Sequence, residues 1–176
     1  SCVGTSRYYK QGKVEPVEFA SKTSFERHAS LIILPVTIEG ETYRFLFDTG
    51  APMVISKEIR ESLELKRKAK GEVSDSQGGR EELDFVRIPN LKIGGIGFSE
   101  LIAISADLKA SPSMACLNID GIVGANLMHR AFWKIDFTLN ELSFQSAPFN
   151  LSDSLYKIPF ETKSTFTPIV NLNLDN

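Results

Sequence analysis

The chain has little of what announces most chemistries. It carries two cysteines, two histidines and one tryptophan in 176 residues. No Cys/His cluster has the spacing of a metal site, so no metal is expected, and nothing in the placement of Cys2 and Cys116 calls for a disulfide. His28 and His129 stand far apart without motif context and read as surface or satisfied histidines rather than ligands or bases. No apolar run approaches the roughly 18 residues of a membrane-spanning helix. No charged-then-apolar leader opens the chain either. Neither sign of charge dominates: Lys plus Arg is 20 and Asp plus Glu is 22. A basic field for nucleic acid or an anionic membrane surface is therefore missing. The glycines of "GIVGAN" have no lysine in the Walker position, and the G-x-G-x-x-G spacing is absent, which removes a phosphate loop. No cofactor is expected.

What is present is strand material. Phe is the dominant aromatic, with 12 copies, and β-branched residues are frequent. The length suits one domain, with room for a remnant of another. Residues 14–38 read as two strands, the first holding Val17 and Phe19, the second running from Leu31 to Ile38 with Pro35 marking an edge or bulge. Glu39-Gly40-Glu41 reads as a hairpin turn. Residues 56–70 suggest a short amphipathic helix with Ser56 as N-cap. Residues 72–88 form a long hairpin whose polar tip contains Gly78 and Gly79, and a softer-than-average tip follows from them. "LKIGGIGFSELIAIS" reads as a strand pair around Gly94-Gly95. Residues 120–137 give an apolar strand, a short helix after Gly124, then a new strand, and a tight turn follows at Asn140-Glu141.

One stretch stands apart. In "YRFLFDTGAPMVIS", residues 43–56, an aromatic strand ends on Asp48, and Thr49, Gly50, Ala51 and Pro52 cannot continue it. A carboxylate at the end of a buried strand is costly unless something hydrogen-bonds it. A solvated turn aspartate is the plain alternative.

The Asp48-Thr49-Gly50-Ala51 loop, with Ile122-Val123-Gly124 following in "DGIVGANLM" and a flap-like hairpin between, resembles the retropepsin-like aspartic proteases, and among them the bacterial aspartyl proteases. The resemblance covers roughly residues 28–145. It implies a mainly β fold, a closed barrel with a flap hairpin and one or two short helices. It implies an aspartic endopeptidase acting on peptide or protein substrates. Asp48 would be catalytic, with Thr49, Gly50 and Ala51 as its supporting loop and Ile122, Val123 and Gly124 packing beside it. The flap tip would be Ser74, Asp75, Ser76, Gln77, Gly78 and Gly79. Ala51 leaves no hydroxyl beside the carboxylate, which implies a less acidic working pH than that of the pepsins.

Such an enzyme needs two carboxylates sharing one proton, and this chain has one D-T-G. Asp120, Asp136 and Asp153 lie outside such a turn. The second aspartate would come from a second lobe or a homodimer partner. "VEFASKTSF" (17–25) lines up with "IPFETKSTF" (158–166), and "ILPVTIEG" (33–40) with "IVNLNLDN" (169–176). Residues 1–13 thus read as a flexible tether, 14–148 as the protease-like domain, and 149–176 as a linker with the first strands of a second copy. The rival is a homodimer whose tail pairs with the partner or with its own sheet. Cys2 in a polar opening resembles a mature bacterial lipoprotein after its lipidated cysteine; an ordinary terminal thiol is the alternative. The expected setting is the periplasm or cell envelope, with any membrane tether running through that lipid alone. The competing function is an exported, non-catalytic binding module that keeps the fold.

Overall fold

The computed structural model describes residues 6–74, 80–151, 156–162 and 164–171. Strands dominate: β1 (Lys13–Glu15), β2 (Ala20–Ser24), β3 (Glu26–His28), β4 (Leu31–Ile38), β5 (Glu41–Phe47), β6 (Val54–Ser56), β7 (Arg67–Ser74), β8 (Arg80–Ile93), β9 (Ile96–Ala106), β10 (Gly121–Val123), β11 (Phe132–Asp136), β12 (Glu141–Gln145), β13 (Glu161–Thr162) and β14 (Pro168–Ile169). The helices are short: α1 (Ser6–Tyr9), α2 (Lys57–Ser62), α3 (Pro112–Leu117) and α4 (Ala125–Met128). The fold is mainly β, as the sequence indicated.

The large sheet runs β1-β9-β6-β10-β5-β4-β8-β7, with β3 on β4 and a further pairing between β9 and β8. Most ladders are antiparallel; β10 with β5 and β6 with β9 are parallel. β4 meets β8 at a single pair, Thr37↔Lys92. A second sheet has the order β11-β12-β2, and β13 with β14 forms a third. Phe45, Phe85, Phe98 and Phe144 are fully buried. The alternation of β4 and β5 puts Leu34, Val36, Ile38 and Phe45 inside.

Local chemistry explains the turns. Glu39 and Gly40 both take positive φ (50° and 89°), which a two-residue hairpin between Ile38 and Glu41 requires. Pro35 pairs with Arg44 on one side. On the other it falls between the stretch covered by β3 and the single contact with β8, so its missing N–H removes no ladder bond there. Gly94 and Gly95 turn β8 into β9 as expected, both with positive φ.

Three expectations are corrected. The first strand does not hold Val17 and Phe19: Val17 is exposed, and both lie between β1 and β2, after Pro16 interrupts the run. The helix after Ser56 stops at Ser62, and the basic run from Arg67 pairs as β7 with β8, making the hairpin longer than residues 72–88. Ser56 does cap it, accepting from the Ile59 N–H at 3.2 Å. Residues 7–13, assigned by their polarity to a tether, are held on the body. Tyr8 stacks on Phe85 at 5.5 Å between centroids, and Tyr9 is buried. The Arg130 guanidinium donates to the Lys10, Gln11 and Gly12 carbonyls. Two tyrosines inside a polar run supply the apolar surface that composition alone hides. Helix α3, which no periodicity announced, begins with Pro112 in its first turn.

Candidate active site

Asp48 sits one residue past β5. The strand is held on one flank by β10 in parallel register, with Ile122 opposite Leu46 and Val123 opposite Phe47. The Asp48 N–H donates to the Val123 carbonyl at 3.1 Å, so the ladder ends on the aspartate itself. β10 must lie very close. A Cβ on Gly121 would fall 2.3 Å from the Phe45 ring and 2.6 Å from the Val54 carbonyl oxygen. Glycine is the residue that lets the buried Phe45 lie across β10.

The loop then turns on its own carboxylate. Asp48 Oδ1 accepts from the Gly50 N–H at 2.7 Å. Asp48 is half-buried, while Thr49 and Gly50 are exposed. Below them the loop is clamped. The Ala51 carbonyl accepts from the Ala125 N–H at 2.8 Å. A Cβ on Gly124 would lie 2.2 Å from the Pro52 carbonyl carbon, so the loop backbone rests directly on this glycine. Ile122, Val123 and Gly124 are all buried beneath the loop.

Sequence reasoning passed over two residues here. Asn126 is 0% exposed. Its Oδ1 accepts from the Met53 N–H at 2.7 Å and its Nδ2 donates to the Ile102 carbonyl at 2.9 Å. It thereby ties the end of the loop to β9, and both of its polar ends are satisfied as burial demands. The only signal was an amide inside the apolar run "GIVGANLM". Trp133 is the other. Its ring lies 5.3 Å from that of Phe47, the residue before Asp48, and its Nε1 donates to the Met128 carbonyl at 2.7 Å.

Asp120 and Asp136 serve structure. Asp120 Oδ2 accepts from the Arg44 N–H, and its own backbone exchanges bonds with Arg44 and Ser56. Asp136 Oδ1 accepts from the Thr138 and Leu139 N–H groups and closes a turn. Asp153 lies outside the described residues. So do Cys2 and residues 75–79 of the flap tip; Ser74 ends β7 opposite Arg80. Cys116 is an exposed free thiol. Among the described residues no three His, Cys, Asp or Glu side chains gather as a metal would need.

At the base of the flap hairpin, Asp84 receives Arg60 at 2.6 Å and Arg67 at 3.5 Å. Desolvation works to raise its pKa, but the hydrogen bond and charge of Arg60, with Arg67, outweigh it and hold the carboxyl below its usual range. His129 is shifted down by desolvation first and by the neighbouring Arg130 second.

The sequence profile of a family described as aspartyl protease matches residues 34–127, more than half of the chain. The chain belongs to the aspartyl protease family. The matched span takes in the Asp48 loop, Gly124 and Asn126. The chain is thus a hydrolase of the aspartic peptidase kind. Among solved structures, a retropepsin-like aspartic protease from Rickettsia conorii matches with a TM-score of 0.50 at 16% identity, over 73% of this chain and 93% of that one. At that identity the likeness speaks to the fold, which is retropepsin-like. No curated protein matches the chain.

Proposed function

We propose that this member of the aspartyl protease family is an endopeptidase in which Asp48 supplies one half of a catalytic dyad. The observation that carries the reading is the carboxylate's setting. The loop is fixed from beneath by Val123, Gly124 and Asn126, yet its tip, Thr49 and Gly50, faces outward. A rigid base with an open tip suits a group that must meet both a substrate and a partner group.

The chemistry follows from two carboxylates sharing one proton. Like charges about 3 Å apart cannot both ionise cheaply, so one pKa falls and the other rises. The charged member takes a proton from a water, which attacks the scissile carbonyl carbon. The protonated member hydrogen-bonds the carbonyl oxygen as it gains charge. In this reading the Gly50 N–H steadies one oxygen of Asp48 and leaves the other for water. Thr49 joins the partner loop through its hydroxyl. Ala51 adds no hydroxyl donor to favour the charged form, so the working range lies above that of the pepsins. The second carboxylate comes from a second unit of the same kind, either a later lobe of a longer chain or another copy.

The test is the pH dependence of peptide cleavage, measured on a mixed peptide pool with the longest natural chain. A bell-shaped profile whose two limbs belong to the pair is expected. A cleavage rate that does not change across the carboxylate range would count against the dyad. A protein that binds peptides tightly and never cleaves them would favour the binding-module reading.

A further inference from the structure

Residues 7–12 cross the body as a strap, and the strap is gripped by its backbone. The Arg130 guanidinium donates to three successive carbonyls, Lys10 at 3.1 Å, Gln11 at 2.6 Å and Gly12 at 2.7 Å. Among the described residues no carboxylate pairs with this cation. Burial pulls its pKa below the ordinary value, and its Nε is buried with no partner among them. A half-buried charge spent on carbonyls fixes the path of a backbone, whatever side chains that backbone carries. Gly12 completes the grip: at its φ of 120° a Cβ would fall 2.6 Å from the Leu101 side chain. Ahead of the clasp, Tyr8 stacks on Phe85 at 5.5 Å, and Tyr9 meets the same ring edge-on at 6.1 Å.

Both ends of the strap lead to Asp48. Arg130 follows α4, which starts after Gly124, the residue Pro52 rests on, and carries Asn126, which holds the Met53 N–H. From Phe85 a lateral row crosses the large sheet. Phe85 lies opposite Ile104, Ile104 opposite Val54, Val54 opposite Ile122, and Ile122 opposite Leu46, two residues before Asp48. These side chains and Tyr9 share one buried cluster. Phe85 also follows Asp84 on β8, at the base of the flap hairpin. We infer that residues 8–12 are a brace between the Asp48 loop and the root of the β7–β8 hairpin, and that Arg130 is the positioning residue that holds it. Close packing passes a displacement along such a row rather than absorbing it. With the brace seated, the hairpin root is fixed relative to the Asp48 loop, and a peptide held between them meets both at once. Without it, the root loosens and peptide binding suffers before chemistry does. That consequence rests on the reading of Asp48 as half of a dyad; the brace itself does not.

The test joins hydrogen exchange to peptide cleavage, both in the longest natural chain. Arg130→Met keeps an apolar stem and loses the donors. It should speed amide exchange in residues 83–87 at least about tenfold. The Arg130 side chain reaches that stretch only through the strap, where its hydrogen bonds go among the described residues. Tyr8→Ala should do the same, and Tyr8→Phe, which keeps the stack, should exchange like the unmodified protein. Arg130→Met and Tyr8→Ala together should barely exceed the larger single effect, because both break one brace. In cleavage, Arg130→Met should raise KM severalfold and leave kcat within about twofold. Unchanged exchange at 83–87 in Arg130→Met, or single effects that add in full, would overturn the inference. So would a lowered kcat at unchanged KM, or an Arg130→Met chain that cleaves faster, which would make the strap a plug. Should Arg130→Met not fold, Arg130→Lys takes its place in the same comparison, since it keeps the charge and lacks the fork that spans three carbonyls. An unmodified chain that cleaves nothing while the exchange results hold would support the brace and count against the peptidase reading instead.

Discussion

Two stretches of this chain read almost alike and end in different surroundings. "VEFASKTSF" (17–25) and "IPFETKSTF" (158–166) place Phe, Lys and Phe at the same spacing. In the first, β2 pairs with β12 along its whole length, Phe19 packs on Phe144 at 6.1 Å, and Phe25 is 6% exposed. In the second, β13 pairs over two residues with β14, and Phe160 is 61% exposed. Phe166 is intermediate. It takes a positive φ of 64°, unusual for a bulky residue, and its ring lies flat on the His129 imidazole at 3.6 Å. The same pattern is therefore paired along a strand and closed by a buried Phe25 in one place, and in the other it leaves Phe160 exposed and meets the body at Phe166. The difference lies in the partner: β12 offers Leu142 and Phe144 to the first stretch, whereas the second has a two-residue pairing with β14 and the seat of Phe166 on His129. A pattern specifies which face is apolar; a neighbouring strand decides whether that face is buried.

The sharpest way to break this comparison is to truncate the matched phenylalanines. Phe25→Ala should cost about 3–5 kcal/mol, the range for a buried aromatic. Phe160→Ala should stay within about 0.5 kcal/mol, as exposed positions do. Denaturant midpoints measure both, and equal losses would mean that the tail is buried by something these contacts do not show. A somewhat smaller effect is expected at the best-held point of the body. Asn126→Ala strands the Met53 N–H and the Ile102 carbonyl, which should cost roughly 2–3 kcal/mol. A neutral Asn126→Ala would show that the Asp48 loop does not depend on that clamp.

The smallest effect concerns charge rather than packing, at the base of the flap hairpin. Asp84 is held below its usual range, so its stabilisation is present above the unfolded carboxyl value near 3.8 and is lost as pH falls through the folded value. Arg60→Ala should lower stability by about 0.5–1 kcal/mol around pH 7, and the difference should vanish around pH 2. A gap that persists in acid would assign the loss to the arginine's packing rather than to its charge.

Much of this was legible in the sequence, and for identifiable reasons. The β4–β5 hairpin and the Asp48 loop announce themselves because alternation and turn glycines act locally. Gly124 was legible as part of an apolar-apolar-glycine run, although the reason for it, the backbone of Pro52 lying against it, is a contact across the chain. What stayed hidden depends on distant partners. The run from Arg67 looks helical beside Leu63 and Leu65, but the long strand β8 claims it. Asn126 looks like an interruption until Met53 and Ile102 are brought to its two ends. Tyr8 and Tyr9 sit in a polar run and find Phe85 only in the fold.

The central claim is that Asp48 performs the chemistry, and one substitution isolates it. Asp48→Asn keeps an oxygen able to accept from the Gly50 N–H, so the loop and the fold should survive. What it removes is the group that holds and releases a proton. Peptide hydrolysis should be measured with the longest natural chain, wild type and Asp48→Asn, with folding checked by circular dichroism. The expected result is a folded variant with no hydrolysis above background. A folded Asp48→Asn protein that cleaves peptides at the wild-type rate would contradict the aspartic-dyad mechanism.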